Sequence, residues 1–263
     1  MSWDVIGILA LVAFCAGFFD AIAGGGGLIT LPALVLAGLD PISAIATNKF
    51  QAASATVSAT ATFARKGMIE WREGRYLIIC GFLGGAGGAL LVSYIDKHYL
   101  EVCVPIMLIL VAMYFAFSPK LANQDRRKRI GILLFSFTVA PILGFYDGIF
   151  GPGVGSFFIV GFVLLCGLGM MRAMSFTKLA NASCNLGSLS VFITKGVIVW
   201  PIAIAMALAA FIGAQLGARA AVHVGPRLIK PMLIVVCCAL AIKLLSMETN
   251  PLRIAIIDSL ASL

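Results

Sequence analysis

The chain has 263 residues, of which 61% are apolar and only 11% charged, with a mean hydropathy of +1.07. A soluble domain carries about 45–50% apolar and about 25% charged residues, and much of any fold's surface faces its solvent. This is therefore an integral membrane protein, which excludes soluble enzymes, nucleic-acid binders and secreted disulfide scaffolds. The net charge of +8 does not revive nucleic acid as a partner. Arg65, Lys66, Arg72 and Arg75 form one basic cluster, and Lys120, Arg126, Arg127, Lys128 and Arg129 another. Both lie between apolar segments, where positive residues hold loops on the cytoplasmic side.

In chain order, apolar elements are expected at 4–23, 28–39, 42–64, 76–95 and 99–118, then at 130–150, 154–168, 172–194, 199–222 and 227–247. The start, Met1-Ser2-Trp3-Asp4, lacks the basic region of a signal peptide, so the first element is expected to be retained. A helix needs about 20 apolar residues to cross the hydrocarbon core, so 28–39 and 154–168 are too short to span upright. Gly24-Gly25-Gly26-Gly27 and Gly151-Pro152-Gly153 precede them, and neither run continues a helix comfortably. Each half thus begins with a helix, a break at depth and a short helix. Cys15, Cys80, Cys103, Cys166, Cys184, Cys237 and Cys238 sit in apolar runs without metal-ligand spacing and read as small buried hydrophobes. His98 and His223 stand alone near segment ends. No metal and no cofactor is expected.

The elements repeat. Gly17-Phe18-Phe19-Asp20-Ala21-Ile22-Ala23-Gly24-Gly25-Gly26 lies over Gly144-Phe145-Tyr146-Asp147-Gly148-Ile149-Phe150-Gly151-Pro152-Gly153, with six of ten positions identical at an offset of 127 residues. At an offset of 129, Lys49 meets Lys178, Ser54 meets Ser183, Trp71 meets Trp200, Gly84 meets Gly213 and Gly88 meets Gly217. Residues 1–118 form the first repeat, 119–129 a basic cytoplasmic linker, 130–247 the second repeat and 248–263 a C-terminal tail. The expected fold is all-α: a polytopic transmembrane helical bundle of two homologous, inverted repeats with glycine-broken helices. Inversion gathers both basic clusters with Arg172, Arg219, Arg227 and Lys230 on one side and leaves Lys97 and Lys195 on the other, with Arg253 in the tail. That excess marks the cytoplasm and places both termini outside.

Ionisable side chains inside spans are costly and mark pathways. Asp20, Lys49, Asp147 and Lys178 are such residues and come in repeat-related pairs, whereas Lys243 is near a segment end and can snorkel. Thr47-Asn48-Lys49-Phe50-Gln51 and Phe176-Thr177-Lys178-Leu179-Ala180-Asn181 place ammonium, hydroxyl and amide groups within roughly one turn. With Ser54, Ser183 and Asn185 they form a donor-rich stripe, which suits an anion with several oxygens better than a metal ion. The short helices, starting near Leu28 and Val154, would aim free N–H groups at the same anion. The expected substrate site therefore comprises Lys49, Lys178, Asn48, Thr47, Gln51, Thr177 and Asn181 with Gly25, Gly26 and Gly153. Asp20 and Asp147 are candidates for proton coupling; their bland role is to cap the short helices or tie the break together. Ser58, Thr60, Thr62 and Ser188 read as interhelical hydrogen-bonders, the Gly81–Gly88 stretch as helix packing, and Trp71 and Trp200 as interfacial aromatics.

The Gly17-Phe18-Phe19-Asp20…Gly24-Gly25-Gly26-Gly27 start, the Ala46-Thr47-Asn48-Lys49 segment and their echoes resemble the TauE/SafE family of sulfite and organosulfonate exporters, also called toluenesulfonate uptake permeases. The resemblance covers nearly the whole chain and implies a small sulfur oxoanion, such as sulfite, sulfoacetate or another organosulfonate, moved across the plasma membrane (the bacterial inner membrane), in the outward direction for many members. The second copy departs from the first at Phe176-Thr177-Lys178 and at Pro152 in place of Gly25, so the site is expected to be asymmetric. No nucleotide-binding motif is present, so a gradient, with protons as the coupling ion, would drive an alternating-access cycle. An anion channel or uniporter using the same lysines is the alternative. An intramembrane enzyme would need a nucleophile–base or metal constellation, and the sequence offers no His-x-x-His, no Gly-x-Ser-x-Gly and no clustered carboxylates. The remaining partner is the lipid bilayer, and the oligomeric state is open, a homodimer included.

Overall fold

A computed structural model describes residues 2–96 and 129–224, together with 98–100, 102–103, 106–107, 109–110 and 113. The element expected at 227–247, the tail, Lys243, Cys237, Cys238 and all of the basic linker except Arg129 lie outside the described residues. Eight helices are traced among them: α1 (Trp3–Ala23), α2 (Gly27–Leu36), α3 (Pro41–Arg65), α4 (Trp71–Val92), α5 (Ile132–Ile149), α6 (Val154–Leu164), α7 (Met170–Lys195) and α8 (Trp200–Val224). No strand occurs among the described residues.

Composition sorts these helices into two kinds. α1, α4, α5 and α8 are long and apolar enough to cross a membrane. They turn large apolar side chains outward, among them Leu11, Leu83, Phe137, Ile142 and Leu208, each more than half exposed. Such a belt would be untenable in water and is what a bilayer solvates. α3 and α7 are as long, 25 and 26 residues, but carry the polar stripe and lie inside. α2 and α6, of 10 and 11 residues, rise only about 15 Å, half of the roughly 30 Å hydrocarbon core.

The ends of these helices follow local chemistry. Asp40 caps α3 by accepting the Ser43 N–H at 3.1 Å, with Pro41 at the first helical position, where its missing N–H costs nothing. α1 stops at Gly24, whose φ of 76° is left-handed and whose N–H returns to the Asp20 carbonyl at 2.9 Å, a glycine C-cap.

α1 lies along α8 and α4 along α5; α3 and α7 pack on each other, α3 also on α8 and α7 also on α4. Every one of these pairings goes over into another, or into itself, when α1–α4 is exchanged for α5–α8. Small residues make the approaches close. A Cβ added at Gly85 would run into the Cys184 carbonyl, at Gly88 into that of Phe145, at Gly213 into that of Phe14 and at Gly217 into that of Phe18. With no hydrophobic force between helices in lipid, such close approach and interhelical hydrogen bonds hold the bundle. Ser58 donates to the Phe211 carbonyl of α8 at 2.9 Å and Ser188 to that of Gly85 on α4 at 3.1 Å.

Two expectations change. Thr60 and Thr62 bond the Thr56 and Ser58 carbonyls of their own helix, at 2.7 and 3.1 Å, rather than a neighbour, the local back-bonding that Ser and Thr hydroxyls make in a helix. Cys166 and Cys184 are buried, but Cys15 and Cys103 face outward, which an apolar solvent allows. The two halves are also filled differently: Phe135, Phe158, Phe162 and Phe176 form an aromatic cluster around α6, with Phe135 and Phe162 ring centres 4.4 Å apart. The first half has Ile8, Leu31, Val35 and Thr47 at the corresponding positions.

Gly85→Val forces a side chain into the α4–α7 contact and should lower the thermal unfolding midpoint in detergent, by a cost of about 1–3 kcal/mol or more. Gly7→Ala, where a Cβ meets nothing within 4 Å, should leave the midpoint unchanged or slightly raised.

Candidate functional site

The two helix breaks meet. A Cβ on Gly24 would lie 2.7 Å from the Gly155 carbonyl carbon, and one on Gly155 would lie 2.7 Å from the Gly24 Cα. The loop leaving α1 and the first turn of α6 therefore touch backbone to backbone, which only glycine permits. The Ser156 hydroxyl adds a contact to the Gly24 carbonyl at 3.4 Å. The N-terminal ends of α2 and α6 border the same small cavity, which holds about 440 Å³ of empty space including its open mouth. Helix N-termini carry a partial positive charge; here the Gly26 N–H is taken by Asp20, and those of Leu28, Ile29, Val154 and Ser156 by carbonyls of the breaks and first turns.

Each buried lysine is held by the aspartate of the other half. Lys49 Nζ lies 2.8 Å from Asp147 Oδ1, with side chains 1% and 3% exposed. Lys178 Nζ lies 2.8 Å from Asp20 Oδ2 and also donates to the Asp20 backbone carbonyl. The four ionisable groups are thus charge-compensated across the molecule, where the sequence suggested two ammonium groups free to attract an anion. The signal was present: two buried acids and two buried bases at matching repeat positions balance to zero, and unpaired charges in such a medium cost several kcal/mol each.

The two pairs are supported unequally. Asp20 Oδ1 accepts the Gly26 N–H at 3.0 Å, so both of its oxygens are engaged and it ties the first break, as a capping residue would. Asp147 Oδ1 meets Lys49, but Asp147 Oδ2 is buried with no hydrogen-bond partner among the described residues. Lys49 also donates to Asn185 Oδ1 at 3.3 Å, and Asn185 Nδ2 donates to the Asn181 carbonyl at 2.8 Å. Gly151, at a φ of +93°, leaves clear the space over this pair: a Cβ there would sit 2.8 Å from Lys49 Nζ and 3.0 Å from Asp147 Oδ1.

The cavity wall contains Asp20, Asn48, Lys49, Gln51, Asp147, Asn181, Gly25, Gly26 and Gly153, nine of the twelve residues singled out from the sequence. It adds Gly24, Gly27, Gly151, Gly155, Thr56 and Asn185. Asn48 Oδ1 accepts from the Thr30 hydroxyl at 2.5 Å, which fixes α2 to α3 and leaves the Asn48 amide nitrogen facing Gly27. Gln51 Oε1 and Asn181 Oδ1 have no partner among the described residues, a reserve of polar valence at the wall.

Three candidates are not on the wall. The Thr47 hydroxyl accepts the Val199 N–H at 3.1 Å, joining α3 to the start of α8. Thr177 is wholly buried with its hydroxyl unpartnered, and Lys178 is spent on Asp20. Of the stripe's serines, Ser54 donates to the Ala207 carbonyl of α8 at 2.9 Å, and Ser183 to that of Leu179 on its own helix. No cluster of three or more His, Cys, Asp or Glu side chains that would hold a metal occurs among the described residues.

A polytopic bundle that breaks two helices at one polar cavity, and buries its charges there in pairs, has the build of a membrane transporter. The chain belongs to the Sulfite exporter TauE/SafE family, whose model matches residues 9–244. It is similar to the probable membrane transporter protein ORF9 of Sinorhizobium sp, 41% identical over 97% of each chain. It is also similar to the probable membrane transporter protein YfcA of Escherichia coli K12, 42% identical over 92% of this chain and 90% of that one. A probable membrane transporter protein of Haemophilus influenzae is 40% identical over 92% and 94%. No solved structure matches the chain. The protein is a multi-pass integral membrane transporter of the TauE/SafE type, and that family is one of transporters, not of enzymes.

Removing one member of a buried pair strands the other. Lys178→Met should therefore cost about 3–5 kcal/mol, read as a drop in the thermal unfolding midpoint. Adding Asp20→Asn removes the stranded charge and keeps an acceptor for the Gly26 N–H, so the double variant should recover most of the loss.

Proposed function

We propose that the protein is a secondary transporter of a small sulfur-containing oxoanion, such as sulfite, sulfoacetate or another organosulfonate, working outward by alternating access with proton coupling. The substrate site in this reading is the cavity between the two breaks. Lys49 supplies the charge, the amides of Asn48, Gln51 and Asn181 orient the oxygens, and the N-terminal turns of α2 and α6 point their dipoles at it. The observation that carries the reading is the meeting of two helix N-termini at a buried wall that includes an ammonium group. Anions bind at such termini because N–H groups and dipole act together, and broken helices whose free ends face a substrate recur in secondary transporters. Two features argue for a small ligand: the limited empty space and the backbone contact of Gly24 with Gly155.

The family's association with sulfite export supports the sulfur oxoanion, and the wall supplies several donors and, among the described residues, no metal-binding cluster. The two halves are read here as inverted repeats that rock about α3 and α7. In that motion the α1–α8 and α4–α5 pairs would travel as units, since glycine contacts bind each pair.

Purified protein in proteoliposomes should move radiolabelled sulfite or sulfoacetate faster than empty liposomes, with a response to an imposed pH gradient. Lys49→Ala should cut that flux at least about tenfold, the worth of one charge-assisted hydrogen bond of about 1.5–3 kcal/mol. Lys195→Ala, which removes an exposed lysine from the end of α7, should leave it unchanged. Undiminished flux in Lys49→Ala would move the site elsewhere, and flux indifferent to the pH gradient would make the protein a channel or uniporter.

A further inference from the structure

The two ion pairs differ in ways that assign them different work. Lys178 is absent from the cavity wall, and its ammonium is held twice by Asp20, through Oδ2 and the backbone carbonyl. Asp20 in turn is held by the Gly26 N–H through Oδ1. Every oxygen of Asp20 is engaged, and the unit locks the end of α1, the first break and α7 together. Lys49 and Asp147 both line the cavity. Their bond uses one carboxylate oxygen, and the other, Oδ2, is buried and unpartnered among the described residues. A buried carboxylate oxygen without a donor costs free energy, and a proton placed on it removes both the lone pair's need and the charge.

We propose that Lys49–Asp147 is the working pair, in which a proton on Asp147 releases Lys49 from the carboxylate to the anion, whereas Lys178–Asp20 is a fixed brace. This rests on the reading of the cavity as an anion site. The single positive charge of Lys49 cannot neutralise both Asp147 and a bound anion in a buried site, so carboxylate and substrate compete for it. A proton from the water on the open side of the cavity binds Asp147 Oδ2. The neutral acid leaves Lys49 positive, and the anion takes the place of the carboxylate as its partner. Proton and anion then cross together and leave together, and for a singly charged anion the cavity's net charge is the same empty and loaded. The coupling is therefore co-transport in one direction, not exchange, so outward movement of the anion carries protons out with it and is driven by the anion's own concentration gradient, whereas an acid exterior drives uptake.

Among the described residues, the other charged or titratable groups around Asp147 are few. They are Lys49 from α3, Asp20 from α1, Cys184 from α7 and its neighbour Tyr146 on α5, whose hydroxyl donates to the Pro152 carbonyl at 2.7 Å. α4 presents Gly85, Gly88 and Ala89 to this part of α5, and α6 is reached through Gly151. Among the described residues, Lys49 is therefore the one cation in direct contact with the Asp147 carboxylate.

The test needs no substrate for its first arm. After subtraction of the bands common to the surface acids, acid-minus-neutral infrared difference spectra of the purified protein should show one further carboxylic-acid C=O band in the wild type and in the charge-neutral brace variant Asp20→Asn/Lys178→Met, and not in Asp147→Asn. Loss of the band from the brace variant, or its survival in Asp147→Asn, overturns the proposal. In the second arm, radiolabelled sulfite uptake into proteoliposomes is measured with the exterior more acid than the interior, empty liposomes subtracted. The ratio of uptake with and without the gradient should fall to about one in Asp147→Asn and stay well above one in the brace variant, whatever their absolute rates. A wild type that shows the band but carries no sulfite would sink the substrate reading and leave the proton site standing. A wild type whose sulfite uptake follows the gradient, with Asp147→Asn following it equally, would do the reverse.

Discussion

A charge inside a membrane protein must find its opposite, and here the opposite lies in the other half of the chain. Unpaired lysines in such a medium would be neutral or unfolded. By taking Asp147 for Lys49 and Asp20 for Lys178, the molecule makes each half incomplete without the other. The rest of the architecture follows from that requirement. α3 and α7 must be central, because they carry the lysines. α1 and α5 must bring their C-terminal ends, where the aspartates stand, to the same depth. The chain must then break directly after each aspartate, since a continuing helix would carry α2 and α6 past the site rather than back toward it. Glycine at Gly24, with its positive φ, and at Gly151 supplies the turn, and the near-contact of Gly24 with Gly155 shows how little room the arrangement leaves.

The close helix contacts serve the same end. Where lipid offers no hydrophobic reward for helix association, backbone-to-backbone approach is the available attraction, and glycines supply it on α4 and α8. Those two helices grip the outer helices of the opposite half, α5 and α1, so the aspartates are delivered by elements clamped to the far repeat. The exposed apolar faces of α1, α4, α5 and α8 complete the division: the outside is solvated by lipid, and the buried polar residues along the middle of α3 and α7 see only protein and the cavity.

Much of this was legible from the residues alone, for physical reasons. Apolar run length and the glycine breaks located α1, α2, α3, α5, α7 and α8 to within three residues and α6 to within four, because helix existence in lipid is set by backbone satisfaction and hydropathy. α4 starts earlier than hydropathy suggested, at Trp71 rather than near 76, because Arg72, Glu73 and Arg75 are charged yet helical at the water interface. Repeat matching found Asp20, Lys49, Asp147 and Lys178, since ionisable residues in apolar runs do not recur by chance. Pairing partners were not legible. Offsets relate Lys49 to Lys178 and Asp20 to Asp147, but which acid meets which base depends on how the halves interlock. The same limit explains Thr47: its hydroxyl lies within the stripe yet serves the Val199 amide. Phe176, at the matching place in the second half, packs on Phe162 instead.

That last difference shows how a duplicated frame can yield two unlike sites. With Thr47 replaced by Phe176, Asn48 by Thr177 and Gln51 by Ala180, the second repeat has lost polar groups on the turns flanking its lysine and gained an aromatic cluster around α6. Its lysine is thereby shut away from the cavity and bonded twice to Asp20. The first repeat keeps Asn48, Lys49 and Gln51 at the wall, and the second contributes Asn181 and Asn185 from one and two turns further along α7. The polar wall is thus assembled from different turns of two equivalent helices, with an ammonium from one side only. A strictly symmetric pair of sites would present two equal lysines to one small anion and hold it too firmly to let it go. In the proposed cycle, retiring one of them to a brace leaves a single charge to be made and unmade, and a single carboxylate, Asp147, to do it.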